Sequence, residues 1–278
     1  MVPSRSRVRR TALGCACPVP PGVRKSSPPV RHRARNVYRL RMALDPRDQA
    51  VRDPYDTPSE RGGQGVHETL DGLLERAAAL ARPGRRALLG IAGSPGAGKT
   101  TLAERLVRAL NGDGEPWAAH VPMDGFHLAD VELRRLGRLR RKGAPDTFDA
   151  AGYAALLRRL REDEDDVVYA PGFERVLEQP VAGAIPVPRA ARLIVTEGNY
   201  LLLDDGDWAR VRPRLDEVWF CEVDEEERVR RLVARHEEFG KERAEAVAWA
   251  RGTDQRNADL VAATRHRADV VVRLTGGR

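Results

Sequence analysis

The chain has 278 residues, of which 41% are hydrophobic and 32% charged, enough for one substantial α/β core and a balance that argues a soluble chain. Its net charge of +7 suggests a polyanionic partner only until the charge is located. Residues 1–41 carry eleven Arg and Lys and no acid, so the remaining 37 basic and 41 acidic residues leave −4; with 5% aromatic content there are also few stacking platforms, and nucleic-acid binding by the folded part is not expected.

Taken in chain order, residues 1–41 come first, with Pro18, Pro20, Pro21, Pro28 and Pro29 and no apolar periodicity. Such a stretch cannot bury enough surface to offset the cost of ordering it, and disorder is expected. An Arg-rich, acid-free amino terminus also fits an organelle transit peptide, and Arg9-Arg10 before Thr11-Ala12-Leu13-Gly14-Cys15 an export signal, but the apolar run is too short for the latter. A translation start at Met42 accounts for the composition better. Residues 42–65 stay polar and rich in Asp, Pro and Gly, which reads as linker, so the expected organisation is a tail and linker over 1–65 and a folded domain over 66–278. Cys15 and Cys17 fall in the tail and Cys221 in an apolar run, giving no disulfide framework or metal spacing. No run approaches the ~18 apolar residues of a membrane-spanning helix, so a reducing, cytoplasmic compartment is expected.

Val66, Leu70, Leu73, Leu74, Ala77 and Ala81 share one helical face before Pro83-Gly84 breaks the pattern. Residues 87–92 then form a short apolar run suited to a buried parallel strand. It leads into Gly93-Ser94-Pro95-Gly96-Ala97-Gly98-Lys99-Thr100, the pattern G-x-x-x-x-G-K-[ST], followed by Thr101 and a helix with Leu102, Leu106 and Leu110 on one face. Glycines let backbone N–H groups face phosphate oxygens, the helix N-terminus adds partial positive charge, Lys99 neutralises the outer phosphates, and the Thr100 hydroxyl can ligate Mg²⁺. Gly93 to Thr101 is therefore the expected ATP·Mg²⁺ cradle.

After the turn Asn111-Gly112-Asp113-Gly114, a second strand over 118–123 runs into Asp124-Gly125-Phe126-His127. An acid at the carboxyl end of a strand in such a sheet points into the crevice where ligands bind. Met123-Asp124-Gly125-Phe126-His127 resembles the corresponding stretch of the phosphoribulokinase, uridine kinase and pantothenate kinase group of P-loop kinases. So do Arg141-Lys142-Gly143-Ala144-Pro145-Asp146-Thr147-Phe148-Asp149, similar to its K-G-x-P-x-x-[FY]-D segment, and Thr196-Glu197-Gly198, similar to its E-G strand end. Thr264-Arg265-His266-Arg267-Ala268-Asp269 before Val270-Val271-Val272 is similar to the last strand entry of bacterial pantothenate kinases. These stretches fall in the family's order over residues 66–278.

The resemblance implies an α/β P-loop NTPase fold: a three-layer sandwich around a five-stranded parallel sheet of order 2-3-1-4-5, with a helical lid. Residues 87–92, 118–123, 192–197, 217–222 and 269–274 supply the strands, spaced for right-handed crossovers. It also implies ATP-dependent transfer to a hydroxyl of a small molecule such as a nucleoside, a sugar or a pantothenate-like compound. Homodimers are common in the family, though no interface is marked in the sequence. Glu197, beside the P-loop strand, is expected on Mg²⁺ with Thr100, whereas Asp124, one strand further out, faces the acceptor as general base.

Between them, Leu128, Leu133, Leu136 and Leu139 favour a basic helix, and Tyr153, Leu156, Leu157 and Leu160 the inner face of a second helix over 150–161. Tyr169 to Arg175 and Val181 to Pro188 read as an irregular, proline-marked excursion, which makes Tyr169, Phe173 and Arg175 candidate acceptor contacts with His127. Asp224 and Glu227 form a capping box for a helix that Gly240 closes, and Arg228, Arg231 and Arg235 recur along it. Arg228 reads as a solvated, salt-bridged position. The family's lid lies in this region, so Arg231 and Arg235 are candidates to close on the transferring phosphoryl group and His236 a weaker one. Arg267 matches a family position near the adenine, and Asp254 and Asn257 are placed to organise the lid base. A regulatory GTPase would need a guanine-reading N-K-x-D segment after a strand, which is absent. A P-loop NTPase with a regulatory or nucleic-acid-linked role and no small-molecule acceptor is the alternative.

Overall fold

The computed structural model describes residues 69–114 and 116–273. The expected tail and linker over 1–65, together with Val66 and Leu274, lie outside them.

Helix α1 (Leu70–Leu80) starts where the Thr69 hydroxyl accepts from Gly72 N, and buries Leu73, Leu74 and Ala77. Strand β1 (Ala87–Gly93) is buried along its whole length, as a central strand covered on both faces must be. Alternation divides its side chains. Leu88 and Ala92 face a cluster containing Tyr153, Leu157, Ile194 and Phe220, while Leu89 and Ile91 face one containing Leu102, Leu106, Val195 and Trp219. The second cluster comes from α1 and α2 (Lys99–Asn111); the first is closed by α4 (Ala150–Glu162) and by Trp208. Each fully buried leucine here contributes about 1.5–3 kcal/mol, and the three layers follow from two apolar sheet faces that each need a cover.

The sheet combines β1 with β2 (Ala118–His120), β5 (Leu193–Gly198), β6 (Glu217–Glu222) and β7 (Val270–Arg273) in the order β2-β5-β1-β6-β7, every pair parallel. Counted over these five strands alone, the order is 2-3-1-4-5. The difference in detail lies in two intervening strands, β3 (Val167–Glu174) and β4 (Gln179–Pro188), which form a separate antiparallel hairpin where an irregular excursion was expected. The prolines fit because β4 has only one neighbour, so a missing N–H can face away from the pair. The second strand is also shorter than expected. Pairing stops at His120, and Asp124 sits in a 3₁₀ turn over Met123–Phe126.

The basic helix expected from Leu128 to Leu139 is broken into α3 (Asp130–Arg135) and a 3₁₀ turn over Leu139–Arg141, because Gly137 turns the chain at φ 67°. Helices α5 (Glu225–Glu238), α6 (Arg243–Arg251) and α7 (Thr253–Ala262) form the lid region ahead of β7. Asp224 caps α5 by accepting from the backbone N–H of Glu226 and Glu227. The reciprocal half of the expected capping box is missing, since Glu227 is taken by Arg230 and Arg231.

Candidate active site

Helices α1, α4 and α5 each begin under a side-chain cap, from Thr69, Asp149 and Asp224. Helix α2 does not: its N-cap is Gly98, left-handed at φ 88°, with no side-chain hydrogen bond. The first-turn N–H groups of α2 are thus left for an anion. Gly96, at φ 82°, has no room for a Cβ, which would sit 2.9 Å from Leu232 Cγ and 3.0 Å from the Arg228 carbonyl of α5. Here the loop and the lid helix touch. Ser94 Oγ donates to the Ala258 carbonyl, which ties the same loop to α7.

Lys99 is buried, its Nζ donating to Ser94 O at 3.0 Å and to Asn199 Oδ1 at 2.8 Å. Burial lowers its pKa and the nearby Glu197 works in the opposite direction. Thr100 Oγ1 donates to Glu197 Oε1 at 3.0 Å. Burial, reinforced by the charge of Asp124, pushes the Glu197 carboxyl up to about 7. His120 Nε2 lies 3.9 Å from Glu197 Oε1, but burial holds that imidazole down to about 4, so the contact is not a charge pair at neutral pH. Sequence reading missed Asn199 and His120; Asn199 directly follows Gly198 and His120 ends β2, and only the folded sheet brings them to Lys99 and Glu197.

A cavity of about 500 Å³ is lined both by this cradle, through Lys99, Thr100 and Glu197, and by Asp124 of the 3₁₀ turn with His127 and Phe173. A second opening of about 450 Å³ lies over the loop, bounded by Gly98, Thr101, Arg231 and Glu238. Arg175, Arg235 and Phe239 border both. Arg175 comes from the hairpin and pairs with Asp124 at 3.7 Å. His127 is packed between Phe148 and Phe173, at centroid distances of 4.0 and 4.8 Å, and its Nδ1 lies 2.8 Å from the Asp124 carbonyl. The hairpin also presses on the turn from above: a Cβ on Gly125 would fall 2.2 Å from the Pro171 carbonyl.

The expected lid arginines differ in their commitments. Arg231 Nε donates to Glu227 Oε1 at 2.7 Å. The Arg235 side chain makes no hydrogen bond or ion pair among the described residues and faces both openings. Arg228 is buried rather than solvated; it holds Glu225 with two nitrogens and donates to Pro95 O and Gln255, so it anchors the lid to the loop. His236 Nε2 pairs with Asp254 Oδ2 at 2.8 Å, and Asn257 donates to the Gly143 carbonyl, both on the cavity wall.

Two candidates are not brought in. Tyr169 is 60% exposed and borders neither opening, because along β3 it lies on the face opposite Ala170 and Val168. Arg267 also borders neither, its Nη1 being held by Asp204 Oδ2 at 2.8 Å.

Among the described residues no group of three or more His, Cys, Asp or Glu could cage a metal ion. One hydroxyl and one carboxylate, Thr100 and Glu197, do fit an ion that arrives on phosphate oxygens and keeps part of its water shell, which is how Mg²⁺ is usually held.

No family model matches the chain. It is 38% identical over 146 residues to a Schizosaccharomyces pombe protein provisionally named a uridine kinase, over 51% of this chain and 62% of that protein; the chain thus spans less than two thirds of that relative's length. It is 36% identical over 152 residues to an ATP-dependent kinase-like protein of Aspergillus versicolor, over 51% of this chain and 88% of that one. Among solved structures, a Silicibacter sp. TM1040 protein provisionally described as a fructose transport system kinase is 38% identical, with TM-score 0.67 over 73% of this chain and 98% of that chain.

Proposed function

The chain belongs to the phosphoribulokinase, uridine kinase and pantothenate kinase family of P-loop kinases, and from that premise we propose that it moves the γ-phosphoryl group of ATP to a hydroxyl of a small molecule. The observation that carries this reading is the continuous cavity joining an uncapped, Lys-bearing helix start to a carboxylate outside the sheet. A hydrolase needs no second compartment there; a transferase does.

In this reading α2 and Lys99 hold the nucleotide phosphates, and Thr100 and Glu197 hold Mg²⁺. The ion, when bound, offsets charge on the phosphate oxygens. The acceptor hydroxyl faces Asp124, which takes its proton as the new O–P bond forms; the bond from the γ-phosphorus to the β–γ bridging oxygen breaks and ADP leaves with that electron pair. The transition state is loose, so most of the catalysis is positioning and charge neutralisation. Arg235, uncommitted and facing both openings, would neutralise the moving group, together with Arg175, which borders the same two openings. Acceptor-dependent ADP release, with a phosphate monoester identified by phosphorus NMR and both lost in Lys99→Ala, tests the reading. ADP release that ignores every acceptor and yields only inorganic phosphate would overturn it.

A further inference from the structure

Six residues border both openings: Gly96, Lys99 and Thr100 from the nucleotide loop and the start of α2, Arg175 from the hairpin, and Arg235 and Phe239 from the end of α5. They mark where the space over the loop meets the cavity lined by Asp124. Five of them bring a charge, a hydroxyl or a backbone amide suited to phosphate. Phe239 alone brings a wholly apolar side chain.

The core does not account for that ring. It is 43% exposed and belongs to none of the three apolar clusters among the described residues. Nor does it hang on a loose loop. Phe239 N donates to Arg235 O at 3.2 Å, Gly240 N to Glu237 O at 3.0 Å and Lys241 N to His236 O at 3.0 Å, with Gly240 left-handed at φ 91°. This doubly bonded close fixes the backbone at the helix end. The spacing of four puts Phe239 on the face of α5 that carries Arg231 and Arg235, and α5 itself rests on the loop at Gly96. A rigid helix thus holds a phenyl ring beside the two arginines.

Arginines that neutralise a phosphoryl group in transit make it more open to any nucleophile, and water is the nucleophile always present. Being smaller than any hydroxyl-bearing acceptor, water cannot be refused by size. It can be refused by surroundings, because a water against an apolar ring forfeits hydrogen bonds that a polar wall supplies. We propose that Phe239 is a specificity-determining residue that keeps water from the phosphoryl group where the two openings meet, and so sets the share of ATP lost to hydrolysis. In the reaction it suppresses, a water oxygen forms the new O–P bond, the bond from the γ-phosphorus to the β–γ bridging oxygen breaks, and ADP leaves with that electron pair. Inorganic phosphate and a proton are the other products. The inference rests on the kinase reading and adds to it a residue that discriminates between acceptor and water.

The test gives the full chain Mg·ATP with no acceptor and follows ADP, inorganic phosphate and the thermal shift that Mg·ATP produces. Phe239→Ala removes the ring, and Phe239→Gln keeps much of its reach while offering water an amide. Both should raise acceptor-independent hydrolysis by about tenfold, the scale on which apolar contacts discriminate. Phe239→Leu stays apolar and should remain within about twofold of the parent. All three should keep the Mg·ATP shift. A rise below about fivefold in Phe239→Gln, or a Phe239→Leu as leaky as Phe239→Gln, overturns the inference while the retained shift leaves the nucleotide site standing. Loss of the shift in all three variants also overturns it, because the ring then holds the nucleotide instead of guarding it. A parent with no Mg·ATP shift overturns the kinase reading, and the inference with it.

Discussion

Thr100 Oγ1 and Glu197 Oε1 are joined by a 3.0 Å hydrogen bond between the first turn of α2 and the end of β5. Ile91, two residues before the loop, is the register partner of Glu197, so the bond closes a ring that the sheet itself sets. A bound ion would draw on both partners. Glu197→Gln keeps the shape and loses the charge, and should raise the Mg²⁺ concentration needed for half-maximal turnover several-fold while altering nucleotide affinity at saturating Mg²⁺ little. An unchanged Mg²⁺ dependence would remove Glu197 from the ion's site.

The same carboxyl predicts a pH slope in stability. Its pKa lies near 7 in the folded protein against an ordinary 4.5, so between these values the folded form keeps a proton that the unfolded chain has released. Its contribution to stability falls as pH rises from about 4.5 to 7. His120, held down to about 4, has the opposite sign: below its ordinary 6.5 the unfolded chain takes up a proton that the folded form refuses. Melting temperatures from pH 5 to 8, taken without nucleotide, should show Glu197→Gln gaining on the parent as pH rises. Parallel curves would refute the shift.

Asp124 has no capping task. The turn is closed by its backbone, with His127 N donating to Asp124 O at 3.1 Å, and no side-chain oxygen of Asp124 enters the turn's hydrogen bonding. Asp124→Asn should therefore melt within a few degrees of the parent and keep nucleotide affinity within a few-fold. A general base contributes ~10²–10⁴-fold, and a loose transition state favours the lower end, so turnover should fall by about 10²-fold. Parental turnover on the true acceptor would sink the base assignment.

Lys99→Ala removes the ammonium from between Ser94 O and Asn199 Oδ1. The parent should gain about 2.7 kcal/mol from Mg·ATP at a hundred times its Kd; the variant should lose nearly all of that thermal shift. Because the buried charge is itself costly, the unliganded melting temperature should change much less. Retention of the nucleotide-dependent shift is the result that displaces residues 93–100 as the nucleotide site.

Arg231 and Arg235 can be separated by their partners. Arg231→Ala breaks the 2.7 Å bond to Glu227, whereas Arg235→Ala breaks none among the described residues. The expected pattern is a turnover loss of at least about tenfold for Arg235→Ala with its melting temperature unchanged, and a smaller loss for Arg231→Ala. Equal effects in single-turnover assays would show both arginines acting on the phosphoryl group.

The sheet was legible in the sequence because buried parallel strands are short apolar runs with long separations, and the nucleotide loop because its chemistry demands fixed residues at fixed spacing. The hairpin was not: alternation is weak in Gln179–Pro188, where most positions are exposed or half-buried, and three prolines imitate a loop. Asp124, expected at a strand end, lies beyond its strand in a 3₁₀ turn; placement of Glu197 could be read from a strand end. Which arginine is free could not, because Arg228, Arg231 and Arg235 share one spacing pattern and differ only in what the folded chain sets opposite them. The exposure of Tyr169 and the pairing of Arg267 with Asp204 are likewise matters of tertiary placement.

Gly125 leaves no space between the acid-bearing turn and Pro171 of the hairpin. Any side chain at this position would push the two segments apart. A hairpin that tilts to let a molecule in carries the carboxylate of Asp124 with it, and one that settles over its guest returns that carboxylate to its station. If Asp124 is the base of the proposed transfer, admission of the guest and arming of that base would then be one displacement, and a compound that fits the compartment badly should lose rate as well as residence.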